Sequence, residues 1–181
     1  MSLIVFDTET TGLTAPGAAA LEHQPYLVEL VAIKLNDALQ EIDNLSLRCK
    51  PPIDIPDEAT KIHGITNEMV AHLQPFAFFY PLLSQFFLGA EYVIGHNVMF
   101  DKLVLYYELF RLGKQLQFPW PPGAICTADH SLQQHGFRMN LQDLHIHLFE
   151  ESFVGAHSAM ADCRVTMKCF VAMVDQGVIV L

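Results

Sequence analysis

The first apolar run, Leu3-Ile4-Val5-Phe6, is unbroken and stops at Asp7, the pattern of a strand buried on both faces. Thr10-Thr11-Gly12 then turns the chain, and residues 15–24, with Pro16 and Gly17, read as a mobile loop. Leu27–Leu35 has little polar relief and predicts a second strand. Glu41–Lys50 mixes Ile42, Leu45 and Leu47 with polar residues, which predicts a third, less buried strand. The short link Asn36-Asp37 joins these two as a hairpin. Pro51, Pro52 and Pro56 end the region.

Beyond them the period changes. Asp57–His63 and Thr66–His72 read as two short helices split by Gly64, with Thr66 as an N-cap. Phe76–Leu88 predicts a helix with a broad apolar face, and Tyr92–Gly95 a short buried strand. Phe100–Leu112 has apolar residues at helical spacing and ends at Gly113. Phe118–Gly123 is Pro-rich loop, and Ala124–Cys126 predicts the last strand. Three helices follow, over Ala128–His135, Leu141–Phe149 and His157–Gln176. Three strands followed by alternating strands and helices predict an α/β fold: a mixed five-stranded sheet with an antiparallel start, flanked by helices. No repeat or linker interrupts the 181 residues, so residues 1–181 are expected to form one domain.

Composition narrows the function. Hydrophobic residues make up 51% of the chain, enough for a full core or for a homodimer face. The most apolar stretch, residues 76–88, is too short to span a membrane, and no signal peptide is visible at the N-terminus; a cytoplasmic protein without membrane partners is expected. Cys49, Cys126, Cys163 and Cys169 form no C-x-x-C pair, which leaves reduced, partly buried thiols. The net charge of -10 argues against gripping long duplex, since that affinity comes from Lys and Arg on phosphates. It is compatible with an enzyme that holds a few terminal nucleotides.

The candidate chemistry is carboxylate chemistry. Asp7 and Glu9 lie two apart at the end of the first strand, on one face by alternation, the Asp ending the strand and the Glu opening the turn. Such a pair can share a divalent cation, although Asp-x-Glu alone also fits a solvated strand end. Two carboxylates about 4 Å apart repel by roughly 4 kcal/mol at an effective dielectric near 20, and a metal would compensate directly. Asp101 follows a short apolar strand and sits near a helix start, where a capping role is the competing explanation. Asp162 lies in the last helix, five residues after His157; a solvated helix Asp and a capping His is the plain alternative.

Taken together, these residues carry a resemblance. Val5-Phe6-Asp7-Thr8-Glu9-Thr10-Thr11-Gly12-Leu13 resembles the first motif of the DEDDh (DnaQ-like) 3′→5′ exonucleases, the group that includes the proofreading subunit of bacterial DNA polymerase III. Gly95-His96-Asn97-Val98-Met99-Phe100-Asp101 resembles the second motif, and His157-Ser158-Ala159-Met160-Ala161-Asp162 the third. His63-Gly64-Ile65-Thr66 matches a further segment common in these proteins. The likeness runs from about Leu3 to Phe170, in the expected order. It implies a ribonuclease-H-like fold and a metal-dependent 3′→5′ exonuclease that releases nucleoside monophosphates from single-stranded DNA. An exoribonuclease of the same fold is the alternative, and a non-catalytic binding subunit a weaker one.

The resemblance also implies roles. Asp7 bridges two divalent ions, Glu9 and Asp162 hold the one on the nucleophile side, and Asp101 acts at one remove, through water. Oxygen ligands and a phosphate substrate favour Mg²⁺ or Mn²⁺. His157 takes the proton of the attacking water; with an ordinary histidine pKa of about 6.5, activity should rise from neutral into mildly alkaline pH. Thr10 and Thr11 would offer backbone N–H groups to the 3′ end, with Leu13 wedged against the terminal base and His63, Asn97 and Phe100 as further substrate contacts. Core packing competes for Leu13 and Phe100. His145 and His147 sit two apart but face different ways on a helix, and His130 and His135 lack partners at metal spacing; all four read as surface residues. The chain ends soon after the last helix, at Gly177–Leu181, so a polymerase-binding tail is expected to be absent and a free-standing enzyme is favoured over one bound to a DNA polymerase.

Overall fold

Five strands, β1 (Leu3–Thr10), β2 (Leu27–Leu35), β3 (Glu41–Arg48), β4 (Tyr92–Gly95) and β5 (Gly123–Cys126), form one sheet in the order β3-β2-β1-β4-β5. This computed structural model describes residues 2–16, 20–154 and 158–181. β1 runs antiparallel to β2 and parallel to β4, β2 pairs antiparallel with β3, and β4 pairs parallel with β5. The predicted mixed sheet with an antiparallel start is therefore the observed one. Seven α-helices are described, α1 (Asp57–His63), α2 (Asn67–Val70), α3 (Phe76–Phe87), α4 (Val98–Arg111), α5 (Thr127–His135), α6 (Leu141–Phe149) and α7 (Ala159–Asp175), with a short 3-10 turn at Leu21–His23.

β1 continues past Asp7 to Thr10, contrary to the expectation that the strand stops at the first carboxylate. Its ladder with β2 runs on through Asp7↔Val31, Thr8↔Leu30 and Glu9↔Glu29 before shifting register after Glu9. Main-chain pairing does not need apolar side chains, so the end of an apolar run is not the end of a strand. α4 likewise starts at Val98 rather than Phe100. Asn97 precedes it in the left-handed region, at φ 75°, and turns the chain directly from β4 into the helix. Thr66 caps α2 as expected, accepting from the Met69 N–H. The described part of the last helix begins at Ala159; the expected start at His157, and the loop residue Gly17, lie outside the described residues.

Strand alternation divides the core between the two faces. Ile4 and Phe6 of β1 point to the layer built from α3 and α4, with Leu83, Phe87, Val104, Leu105 and Leu109. Leu3 and Val5 point to the opposite layer, with Leu144, Cys163, Cys169, Phe170 and Met173 of α6 and α7. A Cβ at Gly123 on β5 would lie 2.3 Å from the ring of its cross-strand partner Tyr92 on β4, so a side chain there would displace that ring. All four cysteines are buried and unpaired. No helix among the described residues is long and apolar enough to cross a membrane.

Candidate active site

Continuing the alternation down β1 places the polar residues. Asp7 and Glu9 share the parity of Leu3 and Val5, so they face the α7 layer, whereas Thr8 faces α4 with Ile4 and Phe6. The first turn of α7 brings Asp162 to the same place. Carboxylate oxygens of Asp7, Glu9 and Asp162 lie within 4.8 Å of one another. Asp101 arrives from the other layer, in the first turn of α4. It is only 3% exposed, and its carboxylate accepts a 2.7 Å hydrogen bond from the Thr8 hydroxyl. Asn97 occupies the N-cap position of α4, and Asp101 lies in the first turn beyond it with its carboxylate turned to Thr8. Asp7 and Glu9 are half-buried, so they are more than a solvated strand end.

The electrostatics are those of several carboxyls packed close together. Burial, then the charges of Asp101, Glu9, Asp162 and Glu29, hold the Asp7 carboxyl well above its usual range. Burial and the charges of Asp162, Glu29 and Asp101 raise Glu9 to about 8. Asp101 is raised to about 7, chiefly by burial, with the Thr8 hydrogen bond opposing. A group of oxygens that must otherwise hold protons near neutral pH is suited to a hard divalent cation, which replaces those protons with positive charge. The residues present therefore fit a metal centre of the Mg²⁺ or Mn²⁺ type.

Two residues of the site escape the sequence reading. Glu29 stands opposite Glu9 on β2 and is paired with Arg48, opposite it in turn on β3, through hydrogen bonds of 2.9 and 2.6 Å from Nε and Nη2 to one carboxylate oxygen. Its signal was a lone carboxylate inside the apolar run of β2. Thr8, the donor to Asp101, had only its place between two acidic residues.

A cleft of about 400 Å³ opens beside the carboxylates, bordered by residues 8–13, Ile62, His63 and Phe100. Leu13 is 86% exposed on its rim, so core packing does not explain it. Phe100 is half-buried: it packs against the α4 core and also lines the cleft. Thr10 uses its hydroxyl within the turn, donating to the Gly12 carbonyl at 2.6 Å. Thr11 does not offer its N–H as expected; that group donates to the Tyr26 carbonyl, and its hydroxyl accepts from the Tyr26 N–H, so the residue locks the turn. His63 acts as a strut beneath this turn. Its Nδ1 accepts from the Ile65 N–H, which leaves the proton on Nε2 to donate to the Thr10 carbonyl at 3.2 Å. Burial lowers its pKa, in keeping with a neutral ring. Asn97 points its amide oxygen to Arg138, which donates from Nη2 at 3.0 Å. His157 lies outside the described residues.

The remaining histidines divide. His145, expected at the surface, is 2% exposed; its Nδ1 pairs with the Glu151 carbonyl, and its ring packs on Phe149 and Phe153. The packing of α6 on α7 covers it, and a single main-chain partner suffices for the buried ring. His135 is half-buried against the ring of the exposed His147, and His130 is half-buried.

A mixed sheet of this order, with helices on both faces and carboxylates gathered at the end of its central strand, is a ribonuclease-H-like fold. Comparison with known proteins gives the family. The exonuclease (RNase_T) family model matches residues 4–170. DNA polymerase III subunit epsilon of Pasteurella multocida is 30% identical over 176 residues, 94% of this chain and 67% of that protein. Its Escherichia coli counterpart is 28% identical over 94% of this chain and 70% of that protein. The chain thus spans about two thirds of the length of these relatives. Among solved structures, exonuclease X in complex with 5′ overhanging duplex DNA superposes with a TM-score of 0.68 at 25% identity, over 97% of this chain and 93% of that one. The nuclease domain of 3′hExo, a DEDDh family member bound to rAMP, gives 0.75 at 16% identity over 97% and 92%. The chain belongs to the exonuclease family, as a DnaQ-like 3′→5′ exonuclease that hydrolyses phosphodiester bonds.

Proposed function

We propose that residues 1–181 work as one exonuclease domain that removes nucleoside monophosphates from the 3′ end of single-stranded DNA. The observation that carries this reading is the meeting of Asp7, Glu9 and Asp162 within 4.8 Å beside a cleft large enough for a nucleoside. Asp7, Glu9 and Asp162 would hold divalent cations, Mg²⁺ or Mn²⁺, with Asp101 completing the charge from the α4 side. Held there, two such ions would supply positive charge to activate the water and stabilise the leaving 3′ oxygen. His157, next to this cluster in sequence, takes the proton of the attacking water. Leu13 and Phe100 enclose the terminal nucleoside, and His63 keeps the turn carrying Leu13 in place. The acidic chain, at a net charge of -10, suits a short single strand better than duplex. All four carboxylates come from one chain, so the chemistry does not require a homodimer. The relatives are named as subunits of a DNA polymerase, which supports work on DNA and makes a DNA polymerase a partner to test by co-purification.

The test is digestion of matched single-stranded DNA and RNA oligonucleotides, labelled at the 5′ end, with Mn²⁺ and with EDTA. A metal-dependent ladder shortening from the 3′ end, faster on DNA, is expected. Faster shortening of RNA would make the enzyme an exoribonuclease. No shortening of either would overturn the reading.

A further inference from the structure

We propose that Arg138, held by Asn97, is a second anchoring point for the strand: it takes a phosphate on the 5′ side of the bond being cut. This rests on the exonuclease reading above. The sheet register places the residue. Val5 pairs with Ile94 and Ile94 with Ile125, and the next rung joins Gly95 to Cys126. Asp7 on β1 and the end of β5 therefore lie along the same C-terminal edge, two strand spacings or about 10 Å apart. Arg138 sits at the β5 end of that edge, with Nη2 3.6 Å from the Cys126 sulfur. The cleft around Leu13 lies on the β2 side of β1, where its lining residue Ala59 of α1 packs with Val28. A strand whose 3′ nucleoside fills the cleft and whose scissile phosphate meets the carboxylates has its next phosphates on the Arg138 side.

The guanidinium is built to stay there and remain open. Nη2 donates to the Asn97 amide oxygen and Nε to the Asp129 carboxylate, each at 3.0 Å. Nη1 donates to no described residue. Asp129 is half exposed, so its pairing is screened and gives way readily to a phosphate. Asn97 adopts a left-handed backbone that a non-glycine residue enters at a cost, and this aims its side chain at Arg138. In a chain with 10 Lys and Arg against 20 acidic residues, one placed cation on this edge matters more than it would on a basic surface.

Steady-state digestion of a single-stranded octamer and of a dinucleotide, each over a range of salt, tests the assignment. Arg138→Ala should raise KM for the octamer about fivefold, with kcat within about twofold. It should also flatten the salt dependence of log KM by about 0.7, the contribution of one phosphate contact on a single strand. Arg138→Lys should restore the salt slope. Lys168→Ala, an exposed charge on the outer face of α7, should change none of these values. On the dinucleotide, too short to reach the anchor, the KM change should fall below about twofold. An equal loss on both substrates, carried by kcat, would mean that Arg138 only braces the turn before α4 and would overturn the proposal. So would an unchanged octamer KM. Arg138→Gln, which keeps a donor for Asn97, serves if the alanine variant melts below the assay temperature. Failure of the wild type to digest the octamer would instead overturn the exonuclease reading itself.

Discussion

Glu9 and Glu29 stand directly opposite each other across β1 and β2, and Arg48 neutralises the second of them. Glu9, pushed up to about 8 by burial and by its acidic neighbours, is left as a source of instability in the metal-free protein. Glu9→Gln removes that repulsion. After discounting for partial exposure, a gain of about 1–2 kcal/mol is expected in EDTA at pH 8, or about 2–8 °C in Tm. The same variant should lose nearly all exonuclease activity. A metal-free variant that melts below the wild type would show that the repulsion is not there.

The raised carboxyls also set the pH dependence of the metal-free fold. Glu9 moves from 4.5 to about 8 and Asp101 from 3.8 to about 7, so the folded state binds protons more tightly than the unfolded chain. Their contribution is complete below about pH 4, and it is lost as pH rises through 7 and 8. Melting curves in EDTA should therefore fall between pH 5 and pH 8.5. Saturating Mn²⁺ should raise Tm most at the alkaline end, where the carboxylates are free of protons. A metal-induced shift that is the same at pH 5.5 and 8.5 would contradict this.

Removal of a single ligand should separate chemistry from folding. Asp7→Ala or Asp162→Ala is expected to abolish digestion while circular dichroism keeps the wild-type shape. Calorimetric titration with Mn²⁺ should then show the strong binding step lost. Near-normal turnover in either variant would refute the assignment of the cluster.

Thr8→Val keeps the shape of the side chain and deletes the hydrogen bond to Asp101. A buried carboxylate that loses a charged hydrogen bond should cost about 1.5–3 kcal/mol at pH 8, read by urea denaturation. The cost should shrink near pH 5, where Asp101 carries its own proton. A penalty independent of pH would point to packing rather than to the carboxylate.

Leu13→Ala should do the reverse of a core substitution. With 86% of the residue exposed, Tm should move by less than about 2 °C. KM for a single-stranded oligonucleotide should rise severalfold, because the rim of the cleft loses its apolar contact. A large drop in Tm would return Leu13 to the core.

Much of this was legible because elements and motifs coincide. Apolar runs marked β1, β2 and β4, and the carboxylates fall at strand ends and first helical turns, where backbone geometry gathers side chains from distant parts of the chain. What stayed hidden depends on cross-strand neighbours. Glu29 is an ordinary residue of β2 until the antiparallel register sets it against Glu9. The Thr11 N–H looks free in the sequence, and only the approach of Tyr26 takes it. His145 reads as polar and exposed until α6 packs on α7 and the Glu151 carbonyl satisfies its ring.

The division of β1 between two layers has a consequence for insertions and deletions. Substitutions in either apolar layer alter stability by degrees and leave the carboxylates facing α7. One extra residue between Leu3 and Asp7 would exchange the faces, turning Asp7 and Glu9 toward α4 and Thr8 toward Asp162. The backbone ladder could still form, but the lineage carrying that single codon would inherit a sheet with its acids on the wrong side. Length in this short stretch is thus under tighter constraint than the identity of any apolar residue in it.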